Sequence, residues 1–161
     1  MYGFQGGNDA GGPKTGLVMD ANGTLYGTLY GTTIYGGGSQ YGTAFKLTPN
    51  GSQHSEGVVY VFQSADDGFW PSALTVGAHG RLFGTTYYGG GPWCGFSYGC
   101  GTVFVLTPTG SSYSKSVLRI FGGFDDGANP TGGLLFGPGH LLYGTTQLST
   151  SYNGTVFEIR P

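Results

Sequence analysis

Residues 82–108 read LFGTTYYGGGPWCGFSYGCGTVFVLTP. Two short runs of alternating apolar and polar residues, LFGTT and GTVFVLTP, flank a Gly-rich connection, which is the pattern of paired strands rather than of a helix. The same pair of runs occurs twice more, as LYGTT from Leu29 with YGTAFKLTP from Tyr41, and as LYGTT from Leu142 with NGTVFEIRP from Asn153. Phe4, Phe62 and Phe121 hold equivalent places, each shortly before an Asp-containing turn and a Pro. The chain is therefore built from copies of one segment of about 58 residues, and a period of that size means a repeat architecture.

Each copy offers short strand candidates separated by Gly, Asn, Asp and Ser turns. They fall near Gly16–Asp20, Leu25–Thr33, Gly42–Thr48 and Gly57–Phe62 in the first copy. In the second they fall near Ser72–Val76, Arg81–Thr86, Gly101–Thr107 and Lys115–Phe121, and in the third near Gly132–Phe136, Leu141–Thr146 and Gly154–Arg160. The first copy carries LYGT twice within LYGTLYGTT (25–33), an even insertion that preserves the facing of side chains and reads as a local extension or bulge. Four strands in a repeat of this length predict an all-β fold made of β-propeller blades.

The third copy stops at Pro161, before a counterpart of Tyr60–Phe62 or Arg119–Phe121, and Tyr2–Phe4 aligns with that strand. The expectation is one repeat domain over 1–161, with repeats at about 5–62, 63–121 and 122–161 and with residues 1–4 completing a last blade. Three blades fall below the usual propeller range, so a homodimer closing a six-bladed ring is the expected assembly.

Composition narrows the function. Gly is 35 of 161 residues and aromatic residues are 16%, against 9% charged, so the chain is not disordered and its Gly serves turns and close packing. A net charge of -2 gives no footprint for nucleic acid, and no apolar run is long enough to cross a membrane as a helix. The opening MYGFQGG has no signal-peptide pattern, and Met1 falls inside an expected strand, as at the start of a fragment. Cys94 and Cys100 bracket one Gly-rich loop; a disulfide between them suits an exported protein, while two free thiols is the alternative.

Propeller geometry sorts the loops onto two faces. One face gathers Asn8, Asp9, Asp66, Asp67, Asp125 and Asp126, together with Trp70, Trp93, Tyr35, Tyr87 and Tyr88. In a closed dimer Asp9, Asp67 and Asp126 would ring the channel mouth, where oxygen-rich sites take calcium or another divalent metal. The competing reading is that each Asp caps its own turn, as Asp does before Gly, which leaves Asp66 and Asp125 as the extra carboxylates. The aromatic residues suit a carbohydrate or small-molecule ligand, with rings stacked on apolar sugar faces, and they also suit plain packing between blades.

Catalytic signals are weak. Gly95–Gly99 matches G-x-S-x-G, but no helix follows to make the strained elbow that the motif needs. His54, His79 and His140 fall in turns on the opposite face, away from the Asp loops. Three functions stand: a binding module for carbohydrate or another surface ligand, a hydrolase, metal-dependent or not, with its site at the channel mouth or dimer junction, and a structural scaffold. The motifs LYGTT, YGGG, GTVFVLTP and FDDGANP resemble the bacterial tandem repeat called GloVer, found in choice-of-anchor exported proteins. The resemblance covers essentially the whole chain and implies propeller-like blades and an extracellular or cell-surface location, with no reaction attached.

Overall fold

In the computed structural model, residues 2–4, 12–13, 15–29, 41–64, 66–91, 98–123, 126–149 and 153–161 are described. Among them the protein is all-β, and each repeat forms its own antiparallel sheet. The first sheet runs in chain order through β1 (Val18–Met19), β2 (Leu25–Leu29), β3 (Thr43–Asn50) and β4 (Gln53–Val61). The second contains β5 (Phe69–Pro71), β6 (Thr75–Val76), β7 (Leu82–Tyr88), β8 (Thr102–Thr109) and β9 (Ser112–Ile120). The third contains β10 (Ala128–Pro130), β11 (Leu135–Phe136), β12 (Leu142–Leu148) and β13 (Thr155–Ile159).

The hairpins follow from their turn residues. Asn50 pairs with Gln53 and Thr109 with Ser112, so each loop has two residues, beginning with Gly51 at φ +61° and Gly110 at φ +68°. That left-handed backbone is what a tight hairpin asks for and what Gly supplies at least cost. It carries the strands beyond their expected ends at Thr48 and Thr107. The first strand of the second and third repeats is broken in two, with β5 and β6 pairing opposite ends of β7, and β10 and β11 opposite ends of β12. Pro71 and Pro130 lack the N–H of a central strand and sit on these edge strands.

The doubled LYGT resolves in favour of its first unit. β2 is Leu25–Leu29, and Gly27 stands opposite Phe45 as Gly84 stands opposite Phe104 and Gly144 opposite Phe157. A Cβ on Gly27 would lie 2.7 Å from the Phe45 ring and one on Gly84 2.6 Å from the Phe104 ring, so the ring occupies the space of a side chain. Of the expected strand Leu25–Thr33 the described part is β2, Leu25–Leu29, and residues 30–40 lie outside the described residues.

Phe residues at the ends of the fourth strands join one sheet to the next. Phe62 stands edge-on to Phe104 with ring centroids 5.3 Å apart, and Phe121 likewise to Phe157 at 5.0 Å. Phe4 meets Phe45 in the same way at 5.2 Å. The core accordingly lies between sheets: Ala44, Val59 and Phe62 with Leu74, Leu82 and Phe104, and then Val103, Val105 and Phe121 with Leu134, Leu142 and Phe157. Backbone and hydroxyl bonds follow the same seams. Trp70 N–H donates to Tyr41 O and Asn129 N–H to Cys100 O, both at 2.8 Å. Thr28 Oγ1 donates to Pro71 O at 3.0 Å and Thr85 Oγ1 to Gly132 O at 3.4 Å.

Candidate functional site

Because Phe69 pairs with Tyr88 and Pro71 with Thr86, the turn before β5 and the end of β7 meet at one end of the second sheet. Asp66, Asp67, Trp70 and Tyr88 therefore share an end. The histidines lie at the other. His79 and His140 sit in single 3₁₀ turns before β7 and β12, and His54 pairs with Pro49 beside the β3–β4 hairpin. Asp9, Tyr35, Trp93, Cys94, Asp125 and the Ser97 of the G-x-S-x-G match lie outside the described residues. Cys100 is buried and disulfide-bonded.

The Asp side chains face their own turns. Asp67 Oδ2 accepts the backbone N–H of Gln63 at 3.2 Å and the Tyr60 hydroxyl at 3.0 Å, and Lys115 Nζ donates to Oδ1 at 2.9 Å. The Lys115 side chain is 3% exposed and lies over the rings of Phe62 and Phe104. Burial, and after it the charge of Asp67, pushes the Tyr60 phenol up to about 12. Asp126 repeats the plan: Oδ2 accepts the Gly122 N–H at 2.7 Å, and Oδ1 takes the guanidinium of Arg119, which stands where Tyr60 does one repeat earlier. Both carboxylates cap the turns that contain them. Among the described residues no three His, Cys, Asp or Glu side chains gather as a metal site would require.

The aromatic residues do come together. Trp70 and Tyr88 have ring centroids 5.2 Å apart, Tyr87 and Tyr88 4.6 Å, Phe69 and Tyr88 5.2 Å, and Tyr88 and Tyr98 5.7 Å. Tyr98 is exposed, and the Tyr87 hydroxyl donates to Gln147 Oε1 at 2.7 Å. Trp70 is held at φ +56°, in a left-handed conformation unusual for a bulky residue and more so before a proline. The cause is the seam: Gly12, Trp70 and Asn129 all precede a Pro and all have this backbone, and the last two spend their N–H on the preceding sheet. Ala128, Asn129, Gln147 and Leu148 take the places of Phe69, Trp70, Tyr87 and Tyr88 in the third sheet, so the ring cluster belongs to the second repeat. Phe69 and Tyr98 were not singled out from the sequence. Tyr98 lies inside the G-x-S-x-G match, and the register that sets Phe69 beside Tyr88 cannot be seen before the strands are paired.

At the histidine end, a cleft of about 300 Å³ between the second and third sheets is lined by Val76, Ala78, Arg81, Phe136 and His140. Among the described residues no helix is long and apolar enough to cross a membrane. No curated protein and no solved structure gives a match to the chain. A family model matches residues 1–161, and the chain belongs to the Gloeobacter/Verrucomicrobia repeat family.

Proposed function

We propose that the three sheets are blades of a β-propeller, that two chains make a six-bladed ring, and that the protein is a carbohydrate-binding module working at the aromatic end of the second blade. The observation that carries the ligand class is the cluster of Trp70, Tyr87, Tyr88 and Tyr98, with Tyr98 exposed and hydrogen-bonding groups of Gln147 and Asn129 at its edge. Stacked rings offer flat apolar area at little entropic cost, and amide groups beside them suit sugar hydroxyls. Asp66, exposed in the adjoining turn, is the carboxylate that supplements them. Asp67 and Asp126 support the turns. A disulfide at Cys100 fits an extracellular setting.

The third repeat supplies clean variants. Trp70→Asn keeps a residue type that tolerates the left-handed backbone, as Asn129 does, and Tyr88→Leu copies Leu148. On a glycan array each substitution is expected to weaken binding about 3- to 10-fold with an unchanged circular dichroism spectrum. Full binding by the double variant, or no binding of any glycan by the native chain, sinks the ligand reading.

A further inference from the structure

We infer that the third blade of one chain docks against the first blade of a second copy, and that two such junctions close the ring. This partner rests on the propeller reading above. Equivalent positions of the three sheets differ in exposure. Ala44 and Val103 are both 0% exposed, because the following sheet covers them, whereas Val156 at the same place in the third sheet is 76% exposed. Thr28 and Thr85 are buried and donate to the backbone of the next sheet; Thr145, their counterpart, is exposed. The opposite side shows the complement. Leu74 and Leu134 are 1% and 5% exposed beneath the preceding sheet, and Leu17, their counterpart in the first sheet, is 49% exposed.

The two faces fit by the same rules that join the sheets within the chain. Phe136 stands edge-on to Phe83 at 5.4 Å, so Met19 of the partner subunit falls on Tyr143. Trp70 and Asn129 donate their N–H to Tyr41 O and Cys100 O, so Gly12 of the partner subunit, with the same backbone at φ +72°, donates to Asn153 O. Phe62 and Phe121 donate to Gly42 O and Gly101 O, both at 3.0 Å, so Phe4 of the partner subunit donates to Gly154 O while its ring stays on its own Phe45. A second copy is favoured over another apolar partner because both halves of the seam are present on this one chain. Two chains give six blades, inside the usual range of four to eight, whereas three give nine. Closure also covers both sheet edges at once.

The test is the solution mass of the native chain, of Val156→Asp and of Leu17→Asp, measured by light scattering over a range of concentrations, with circular dichroism as the check on folding. Both positions are exposed in a single chain, so both variants keep the fold. The native protein is expected at twice the 16.7 kDa of one chain and each variant at 16.7 kDa. Mixing the variants restores a two-chain species, because one junction then has two native faces. A native monomer at every concentration, growth into longer assemblies, or a folded Val156→Asp dimer overturns the proposal. Glycan binding by a monomeric native chain would remove the assembly alone; a dimer without binding would remove the ligand alone.

Discussion

Asp67 shows how a turn residue becomes part of the interior. The Asp-Gly turn itself was legible in the sequence, since Asp before Gly at a loop is a self-capping pattern. What the sequence could not show is Lys115, 48 residues away, whose buried ammonium reaches the same carboxylate. Removing the carboxylate and removing the ammonium should then differ. Asp67→Asn leaves a buried cation with the Asp67 carbonyl and two aromatic faces and should cost about 2–4 kcal/mol. Lys115→Met leaves Asp67 with Tyr60 and the Gln63 N–H and should cost about 1–2 kcal/mol. Urea unfolding of the two variants gives the order directly, and equal costs would mean that the pair is not buried in solution. Tyr60 reports on the same site. Its phenol titrates at about 12 in the folded chain against 10.0 for the free group, so the folded state holds its proton longer. The contribution is complete below pH 10 and is lost as the pH rises from there through about 12. Tyr60→Phe should flatten the fall of stability across that window, with the slope from Tyr26, also raised by burial, remaining. An unchanged slope would show that Tyr60 is solvated.

At the level of the strand, the Gly-Thr motif is a packing device before it is a turn signal. Gly84 and Phe104 are directly opposed in the β7–β8 ladder, and the ring lies over the Gly. Gly84→Ala forces a methyl against the Phe104 ring and should cost about 1–3 kcal/mol in chemical denaturation. Combining it with Phe104→Leu should cost less than the sum of the two single changes, because the smaller residue makes room. Additive costs would mean that the two side chains do not share the space. The equivalent contact selects between the two LYGT units of the first repeat. The two LYGT units of residues 25–33 are four residues apart, so both put the same residue types on the same face, and a two-residue period cannot choose between them. Only the ring of Phe45 chooses, and it lies on Gly27. The repeat character and the all-β content were readable, because they depend on local pattern. The split first strands were not, since their pairing depends on where each Pro falls along the neighbouring strand.

For the molecule as a whole, stability should be distributed as in other stacked repeats, where each unit is supported chiefly by its neighbours. The second sheet is covered on both sides, by Ala44, Val59 and Phe62 from the first and by Leu134, Leu142 and Phe157 from the third. The third sheet has its outer side open, with Val156 and Leu135 exposed, and among the described residues β13 pairs only with β12. Local opening should then begin there, since few apolar contacts hold it closed. In the Val156→Asp monomer, hydrogen exchange should be slowest in β8 and fastest in β13, although both strands carry nearly the same sequence, GTVFVLTP against GTVFEIRP. If a second copy docks as proposed, the difference should narrow in the native protein, because its first sheet would give β13 the cover that β8 has from the third sheet. Protection of β13 that is equally low in native and variant protein would show that its outer face stays open in solution. Protection equally high in both would show that something other than Val156 covers it.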